Sequence, residues 1–295
     1  MILSKKKYNN YMNKYQEIDY NNAVIWKSEK KNNKVILWLP GLNDYYYHFH
    51  IGDKLLNEGY DIYALTLRRY GEVCSNKEGL FYTNNLDEYL EDIDNVFNFI
   101  SKYNYEKIFL YGHSTGGLTS TIYCQKGEYR DKINGLILNA PFFDFNDSIF
   151  NEFLLKHIVS RIGYFFPRFK LKKYNPNKYN ANSEEIYERF YFNDNYKLRG
   201  GSPVYAGWIY TINKHQELIK NKNISLDIHI LVIYSDKTIA GNKQDKGDNT
   251  LDMSEINKYS DYLGNNVKEV IIKDAIHDVL CSEDKPRKEA IKCMF

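Results

Sequence analysis

The amino-acid sequence predicts an α/β protein in which a mostly parallel sheet is covered by helices on both faces. Short apolar runs bounded by turn residues alternate with segments whose apolar residues recur every three or four positions. The first pattern is typical of buried strands and the second of amphipathic helices, and their alternation favours parallel strands joined by crossover helices. The chain has 295 residues, 43% of them hydrophobic, so one large domain with an insertion is the simplest organisation.

Seven apolar runs are predicted to be strands, and about eight strands are expected in all. The runs are residues 23–26, 35–39, 62–67, 108–111, 133–139, 228–234 and 267–272. The clearest helix lies between the third and fourth runs, where one apolar stripe is formed by Leu86, Leu90, Ile93, Phe97 and Ile100. A second helix is expected after the fourth run, from Leu118 to Cys124.

The alternation breaks between residues 146 and 222, which contain no strand-like run. This segment follows one predicted strand and precedes the next, so it can be inserted without interrupting the sheet. We therefore expect an α/β core of residues 1–145 and 223–295 and an inserted cap, or lid, of residues 146–222. Within the cap, residues 161–178 carry six basic and no acidic side chains among several aromatic ones. This basic–aromatic run fits either peripheral contact with an anionic membrane surface or an ordinary solvated face.

Charge and cysteine content exclude several other classes of protein. The chain has 40 Lys and Arg residues against 38 Asp and Glu residues, which is too even for a protein that wraps nucleic acid, so no nucleic-acid partner is expected. The four cysteines are far apart, so we expect reduced thiols and no metal site. No apolar run approaches the roughly 18 residues of a transmembrane helix, and the amino terminus lacks the apolar region of a signal peptide. We therefore expect a cytoplasmic protein.

The strongest chemical signal is the stretch Gly112-His113-Ser114-Thr115-Gly116, which follows an apolar run and precedes a helix pattern. The glycines permit a sharp strand-to-helix turn that presents Ser114 above the sheet at the amino terminus of a helix. Backbone N–H groups at such a terminus favour a developing oxyanion. Ser114 is therefore the predicted nucleophile, and a glycine-rich turn with a capping serine is the structural alternative.

A serine nucleophile needs a general base, and the sequence contains seven histidines. His277 lies in a loop directly after the last predicted strand. Loops at the carboxyl ends of parallel strands converge on one edge of the sheet, so His277 can reach Ser114. The acid that orients the imidazole remains open between Asp236, which closely follows a strand, and Asp248, with Asp252 as a weaker alternative.

These residues resemble the α/β-hydrolase fold, particularly its monoacylglycerol lipase and lysophospholipase branch, which is also grouped with the S33 serine aminopeptidases. The resemblance extends over almost the whole chain. It includes residues 39–44 (LPGLND), similar to the family's oxyanion loop, residues 67–71 (LRRYG), the Ser114 turn and the final His277-Asp278. Pro40 stands where the family usually has His, but the oxyanion donor is a backbone N–H, so the difference need not alter the oxyanion hole.

The resemblance also implies roles for further residues. It implies that the backbone N–H groups of Leu42 and Thr115 form the oxyanion hole. In the family the acid opens a D-x-V-V-like stretch that leads into a helix, and Asp248-Asn249-Thr250-Leu251 is similar to it, whereas Asp236 opens no such stretch. Asp248 also precedes His277 by 29 residues, which leaves room for one helix and one strand. The resemblance therefore implies Asp248 as the acid.

The expected function is that of a serine carboxylic ester hydrolase, similar to lipases, which cleaves small or lipid-like acyl substrates through an acyl-enzyme and needs no cofactor. One alternative is an S33-type aminopeptidase that acts on short peptides. Residues 146–222 contain 13 basic and 7 acidic side chains, which disfavours binding of a substrate amine. A catalytically silent binding module of the same fold is the second alternative, and the intact Ser114, His277 and acid disfavour it.

Overall fold

The computed structural model describes residues 5–21, 23–74, 79–145, 154–173, 190–199, 201–239 and 246–294. Ten strands are present in these ranges. They are β1 (Tyr15–Tyr20), β2 (Ala23–Ser28), β3 (Lys34–Leu39), β4 (Tyr60–Thr66), β5 (Lys107–His113), β6 (Gly135–Asn139), β7 (Lys170–Lys172), β8 (Val204–Tyr205), β9 (His229–Ser235) and β10 (Val267–Ile272).

Eight of these strands form the main sheet, in the order β1-β2-β4-β3-β5-β6-β9-β10. β1 and β2 are antiparallel to their neighbours, and the six strands from β4 to β10 are parallel. The predicted mostly parallel sheet is therefore confirmed, and the seven predicted strands are present with ends shifted by two residues at most. The sequence analysis missed β1, because this edge strand is half exposed and its sequence, YQEIDY, lacks an apolar run.

The helices are α1 (Lys5–Met12), α2 (Phe49–Asn57), α3 (Asp87–Ile100), α4 (Thr115–Lys126), α5 (Ser160–Phe165), α6 (Ala206–Lys220), α7 (Met253–Ser260) and α8 (Asp284–Cys293). A π-helical segment, Leu154–Val159, leads into α5, and short 3₁₀ turns cover Arg130–Lys132 and Val279–Cys281. In the described part of the chain, no helix combines the length and the apolar character that a membrane span requires.

Two hydrophobic cores lie on opposite faces of the sheet, because successive strand residues point to opposite sides. In β3, Val35 and Leu37 join the core formed with α3, α4, α6 and α7. Ile36 and Trp38 join the core formed with α2 and α8. The inner parallel strands are consequently buried on both faces, as their nearly continuous apolar sequences predict, whereas the edge strand β10 is only partly buried.

The sequence analysis found no strand-like run in residues 146–222, but β7 and β8 form a small antiparallel sheet there. The three residues of β7 are exposed, so apolar alternation did not reveal this strand. Near the end of the segment, the buried side of α6 packs Ile209 and Ile212 into the first hydrophobic core. Residues 146–153, 174–189 and 200 of this segment lie outside the described residues, and so does Lys178 of the basic–aromatic run.

Candidate active site

Ser114 occupies the sharp turn between β5 and α4, with φ 52° and ψ −118°. A non-glycine residue at positive φ is strained and persists only where its surroundings hold it. Its backbone N–H donates to the carbonyl of Asn139 at the end of β6 (3.0 Å), and its carbonyl accepts from the N–H of Phe142 (3.0 Å). The carboxyl end of the neighbouring strand therefore fixes the turn from both sides.

The glycines of the GxSxG stretch allow close approach of the backbone around this turn. A β-carbon at Gly112 would lie 2.5 Å from the Oγ atom of Ser120, and one at Gly116 would lie 2.8 Å from the carbonyl oxygen of Leu39. Any larger residue would force α4 away from β3 and β5. The glycines of the sequence pattern are therefore needed because the packing around the turn leaves no room for a β-carbon.

The partly exposed His277 and the buried Asp248 form a hydrogen-bonded pair next to this turn. The distance between His277 Nδ1 and Asp248 Oδ2 is 2.7 Å, and the Asp248 side chain is fully buried. The other carboxylate oxygen of Asp248 accepts from the N–H groups of Thr250 (2.7 Å) and Leu251 (2.9 Å). Because an ionised carboxylate only accepts, His277 donates from Nδ1 and leaves Nε2 available to take a proton.

The other two carboxylates considered for the acid lie elsewhere. Asp236 is exposed and accepts a hydrogen bond from the N–H of Asp274 (2.9 Å). Asp252 caps the amino terminus of α7 by accepting from the N–H of Ser254 (2.8 Å). The structure thus brings Asp248, and neither of these alternatives, to His277.

The imidazole of His277 reaches the nucleophile region through its contact with His113, the residue before Ser114. The centroids of the two rings are 4.9 Å apart. Ser114 and His277 are both described, and no hydrogen bond joins them. Catalytic hydrogen bonds are often long in unliganded enzymes and tighten when substrate binds.

The backbone N–H groups of Leu42 and Thr115 are both available at this site. Among the described residues, neither group donates a hydrogen bond to a protein atom. Thr115 is the first residue of α4, where helical N–H groups have no partner within the helix. Leu42 follows Gly41, where a β-carbon would lie 3.2 Å from Ser114 Cβ, so its loop passes directly beside the serine.

A cluster of buried polar side chains lies beside these groups, and the sequence analysis did not anticipate it. We call it the buried polar cluster, and its members are Asp44, Tyr47, His48, His113, Asn139, Lys197, Asp278 and Cys281. The Asn139 side chain links it to the histidine loop: its amide donates to Asp278 (2.8 Å) and its oxygen accepts from the N–H of Val279 (3.2 Å). The same residue bonds the Ser114 backbone, so Asn139 connects the serine turn with the histidine loop.

Asp278 is the most highly connected carboxylate of the buried polar cluster. It accepts hydrogen bonds from His48 Nε2 (2.9 Å), Cys281 Sγ (3.1 Å) and Asn139. Burial by itself raises the pKa of Asp278, but the imidazoles of His113 and His48 and the hydrogen bonds outweigh burial and hold the pKa well below its ordinary value. Burial also acts to lower the pKa of His113, yet the carboxylates of Asp278 and Asp44 outweigh it and raise that pKa.

Two overlapping sets of side chains have donor atoms within 4.8 Å of one another, as a metal site requires. They are His48, Asp278 and Cys281, and Asp44, His113 and Asp278. In the first set the three side chains already bond to one another, and Cys281 Sγ is also 3.2 Å from His48 Nε2. In the second set the ammonium group of Lys197 lies 2.8 Å from Asp44, where it would repel a cation. Apart from His113, whose two ring nitrogens have no hydrogen-bond partner among the described residues, the donors have protein partners, and these side chains form a hydrogen-bonded network.

Residues 30–284 match the family described as serine aminopeptidase, S33. No curated protein shows significant similarity to the chain in sequence.

Several solved structures have the same fold. A soluble variant of monoglyceride lipase from Saccharomyces cerevisiae has a TM-score of 0.72 and 15% identity, covering 95% of this chain and 92% of that one. A monoacylglycerol lipase from Paleococcus ferrophilus has a TM-score of 0.70 and 16% identity, with 94% and 97% covered. A thermostable carboxyl esterase from Bacillus coagulans has a TM-score of 0.69 and 15% identity, with 95% and 96% covered. The predicted α/β-hydrolase fold is confirmed by these similarities.

The low pKa of Asp278 predicts acid sensitivity of the fold. A carboxylate whose pKa is lowered by folding contributes stability above its unfolded pKa of about 3.9 and loses it as the pH falls through the folded value. Replacing Asp278 by Asn should therefore flatten the pH dependence of the unfolding free energy below about pH 4, by at most ~1.4 kcal/mol per pH unit. Urea denaturation at several pH values measures this slope. The exposed Asp131→Asn variant should keep the wild-type slope, and equal slopes for Asp278→Asn and wild type would contradict the prediction.

Proposed function

The chain belongs to the serine aminopeptidase S33 family of the α/β-hydrolase fold, and we propose that it is a serine hydrolase that cleaves carboxylic esters of small or lipid-like acyl substrates. The observation that carries the proposal is the pair of the buried Asp248 and the partly exposed His277, with its 2.7 Å hydrogen bond, beside the strained turn of Ser114. This combination supplies a nucleophile, a base and an orienting acid at one edge of the sheet.

In the proposed reaction, Ser114 Oγ attacks the ester carbonyl carbon while His277 Nε2 takes the hydroxyl proton. Asp248 holds the imidazole in the tautomer protonated at Nδ1 and stabilises the imidazolium. The N–H groups of Leu42 and Thr115 bind the oxyanion of the tetrahedral intermediate. His277 then returns the proton to the departing alcohol, which leaves an acyl-enzyme on Ser114. A water molecule, deprotonated by His277, hydrolyses the acyl-enzyme and regenerates the serine.

Apolar aromatic side chains near Ser114 favour an acyl substrate. Phe142, whose N–H bonds the Ser114 carbonyl, stacks on Trp208 with ring centroids 6.2 Å apart and contacts Phe145 at 5.0 Å. Trp208 belongs to the residue 146–222 segment, which we propose acts as a cap over the site. Substrate pockets for acyl chains are lined mainly by such apolar side chains.

The family description also suggests aminopeptidase activity as an alternative function, because the same triad can cleave amides. The excess of basic over acidic residues in the proposed cap disfavours recognition of a substrate amine, which needs carboxylates. A panel of p-nitrophenyl esters with increasing acyl length, set against aminoacyl p-nitroanilides, separates the two activities. We expect ester hydrolysis to dominate, and faster release from the anilides would favour the peptidase.

We further propose that the cap touches an anionic membrane surface. Four aromatic side chains in the described part of the basic–aromatic run are exposed: Tyr164 (63%), Phe165 (71%), Phe166 (69%) and Phe169 (55%). Basic side chains lie beside them in the chain, namely Arg161, Arg168, Lys170, Lys172 and Lys173. Exposed aromatic rings enter the interface of a bilayer, and each basic residue near an anionic surface adds about 1 kcal/mol of attraction.

Ser114→Ala should reduce kcat by several orders of magnitude and leave the fold intact, because the nucleophile of the acyl-enzyme is lost. A fluorophosphonate probe measures this directly, since it labels an activated serine. Labelling of wild type, together with no labelling of Ser114→Ala, would also rule out a catalytically silent module. Labelling of Ser114→Ala at the wild-type rate would show that another residue is the nucleophile.

The two carboxylates considered for the acid provide a matched pair of variants. Asp248→Asn should lower kcat by about 10⁴-fold, because an amide at this position favours the wrong imidazole tautomer. Asp236→Asn should have little effect, because the Asp236 side chain is exposed and accepts a hydrogen bond from the N–H of Asp274 in the loop after β10, away from His277. Steady-state kinetics on one soluble ester compares them, and the reverse order of losses would transfer the role of the acid to Asp236.

Reversal of three basic residues tests the membrane contact. The triple variant Lys170→Glu, Lys172→Glu and Lys173→Glu should abolish the preference for anionic over neutral vesicles at low ionic strength, since the attraction is electrostatic and screened by salt. Hydrolysis of a short soluble ester should be unchanged. A control triple variant of the exposed Lys268, Lys288 and Lys292 to Glu should keep the preference. Equal binding of wild type to both vesicle types would reduce this surface to an ordinary solvated face.

A further inference from the structure

The loop that follows β3 is hydrogen-bonded to residues 190–199 of the proposed cap. The side-chain amide of Asn43 donates to the carbonyl of Leu198 (2.9 Å), and its oxygen accepts from the N–H of the same residue (2.8 Å). The Tyr45 hydroxyl accepts from the N–H of Asn193 (2.7 Å). Two side chains of the loop therefore bond the backbone of this one segment.

A buried ion pair lies in the middle of this contact. The ammonium group of Lys197 is 2.8 Å from Asp44 Oδ1 and 3.1 Å from the Tyr47 hydroxyl, and its residue is only 9% exposed. Burial lowers the pKa of Lys197, but Asp44 outweighs it and raises the pKa. A buried charge without a partner is strongly unfavourable, so each member of the pair holds the other in place.

The same loop carries the Leu42 N–H that our mechanism assigns to the oxyanion. Leu42 lies between Gly41, which passes beside Ser114, and Asn43, which has a φ of 56°. A left-handed residue is not the default conformation of the chain, and here the amide pairing with Leu198 fixes it. Leu42 is only two positions from Asp44 in the chain, so the Asp44–Lys197 ion pair restricts the direction of the Leu42 N–H.

The segment of residues 190–199 also fits tightly against Gly71 and against the loop after β3. A β-carbon at Gly71 would lie 2.6 Å from Tyr196 Cα, so there is no free space between the two backbones. The Tyr196 ring also meets the Tyr45 ring edge to face at 5.3 Å. The position of Lys197 is thus determined by packing around it as well as by its charge.

We propose that Lys197 is a positioning residue, which holds the Leu42 N–H in the oxyanion hole through its ion pair with Asp44. The inference rests on the proposed serine hydrolase function. The proposed cap then contributes a necessary part of the catalytic machinery, because the oxyanion loop is complete only with residues 190–199 in place.

Lys197→Met tests the inference, because methionine fills a similar volume without the charge. We expect kcat on a soluble ester to fall about tenfold to a hundredfold, as a misplaced oxyanion donor costs, while KM changes less than about threefold. The affinity for an alkyl boronic acid should fall with kcat, since its tetrahedral adduct with Ser114 also uses the oxyanion hole. Exposed Lys214 on α6 provides the matched control, and Lys214→Met should behave as wild type in all three measurements.

Lys197→Met removes the nearest positive charge from the buried Asp44, so the double variant Lys197→Met with Asp44→Asn is measured beside it. The double variant should recover the thermal stability lost in the single variant and still show the reduced kcat and boronic acid affinity. Wild-type kcat and boronic acid affinity in either folded variant would overturn the inference. Failure of the proposed function looks different, because wild type itself would then neither hydrolyse esters nor bind the boronic acid.

Discussion

The parallel arrangement of the strands from β4 to β10 is the constraint on which the site depends. Because their carboxyl ends meet at one edge of the sheet, residues far apart in the chain are brought together there. Ser114 follows β5, Asp248 and His277 follow β9 and β10, and Leu42 follows β3. Because no single segment of the chain contains the site, the distances between its residues depend on the register of the parallel strands.

Polar groups near this edge are buried, and the network in which they take part explains how the loops keep their positions. Burying carboxylates, imidazoles and an ammonium is unfavourable unless each has a partner. Asn139 and Asp278 join the Ser114 turn to the His277 loop, and Lys197 joins the oxyanion loop to the proposed cap. A change to one member therefore affects several loops, which makes the network a means of coordinating the reactive groups as well as of stabilising the fold.

The proposed cap combines two kinds of surface. Its residues 190–199 are tied to the oxyanion loop, whereas residues 164–166 expose three aromatic rings beside a concentration of basic side chains. In our proposals, the first surface positions the oxyanion donor and the second contacts a lipid interface. One insertion can in this way connect the capture of a substrate with the geometry of the oxyanion hole.

The sequence by itself determined the α/β class, seven of the eight strands of the main sheet and the turn at Ser114, because apolar periodicity and glycine spacing are local properties of the chain. Family resemblance and the spacing to His277 singled out Asp248, although the residues alone left Asp236 open. Only the tertiary structure decided that Asp236 bonds the loop after β10 while Asp248 meets His277. It also revealed the polar β1 strand and the pairing of Lys197 with Asp44, residues separated by 153 positions. Such pairings leave no periodic signal, because they depend on which loops the folded sheet brings into contact.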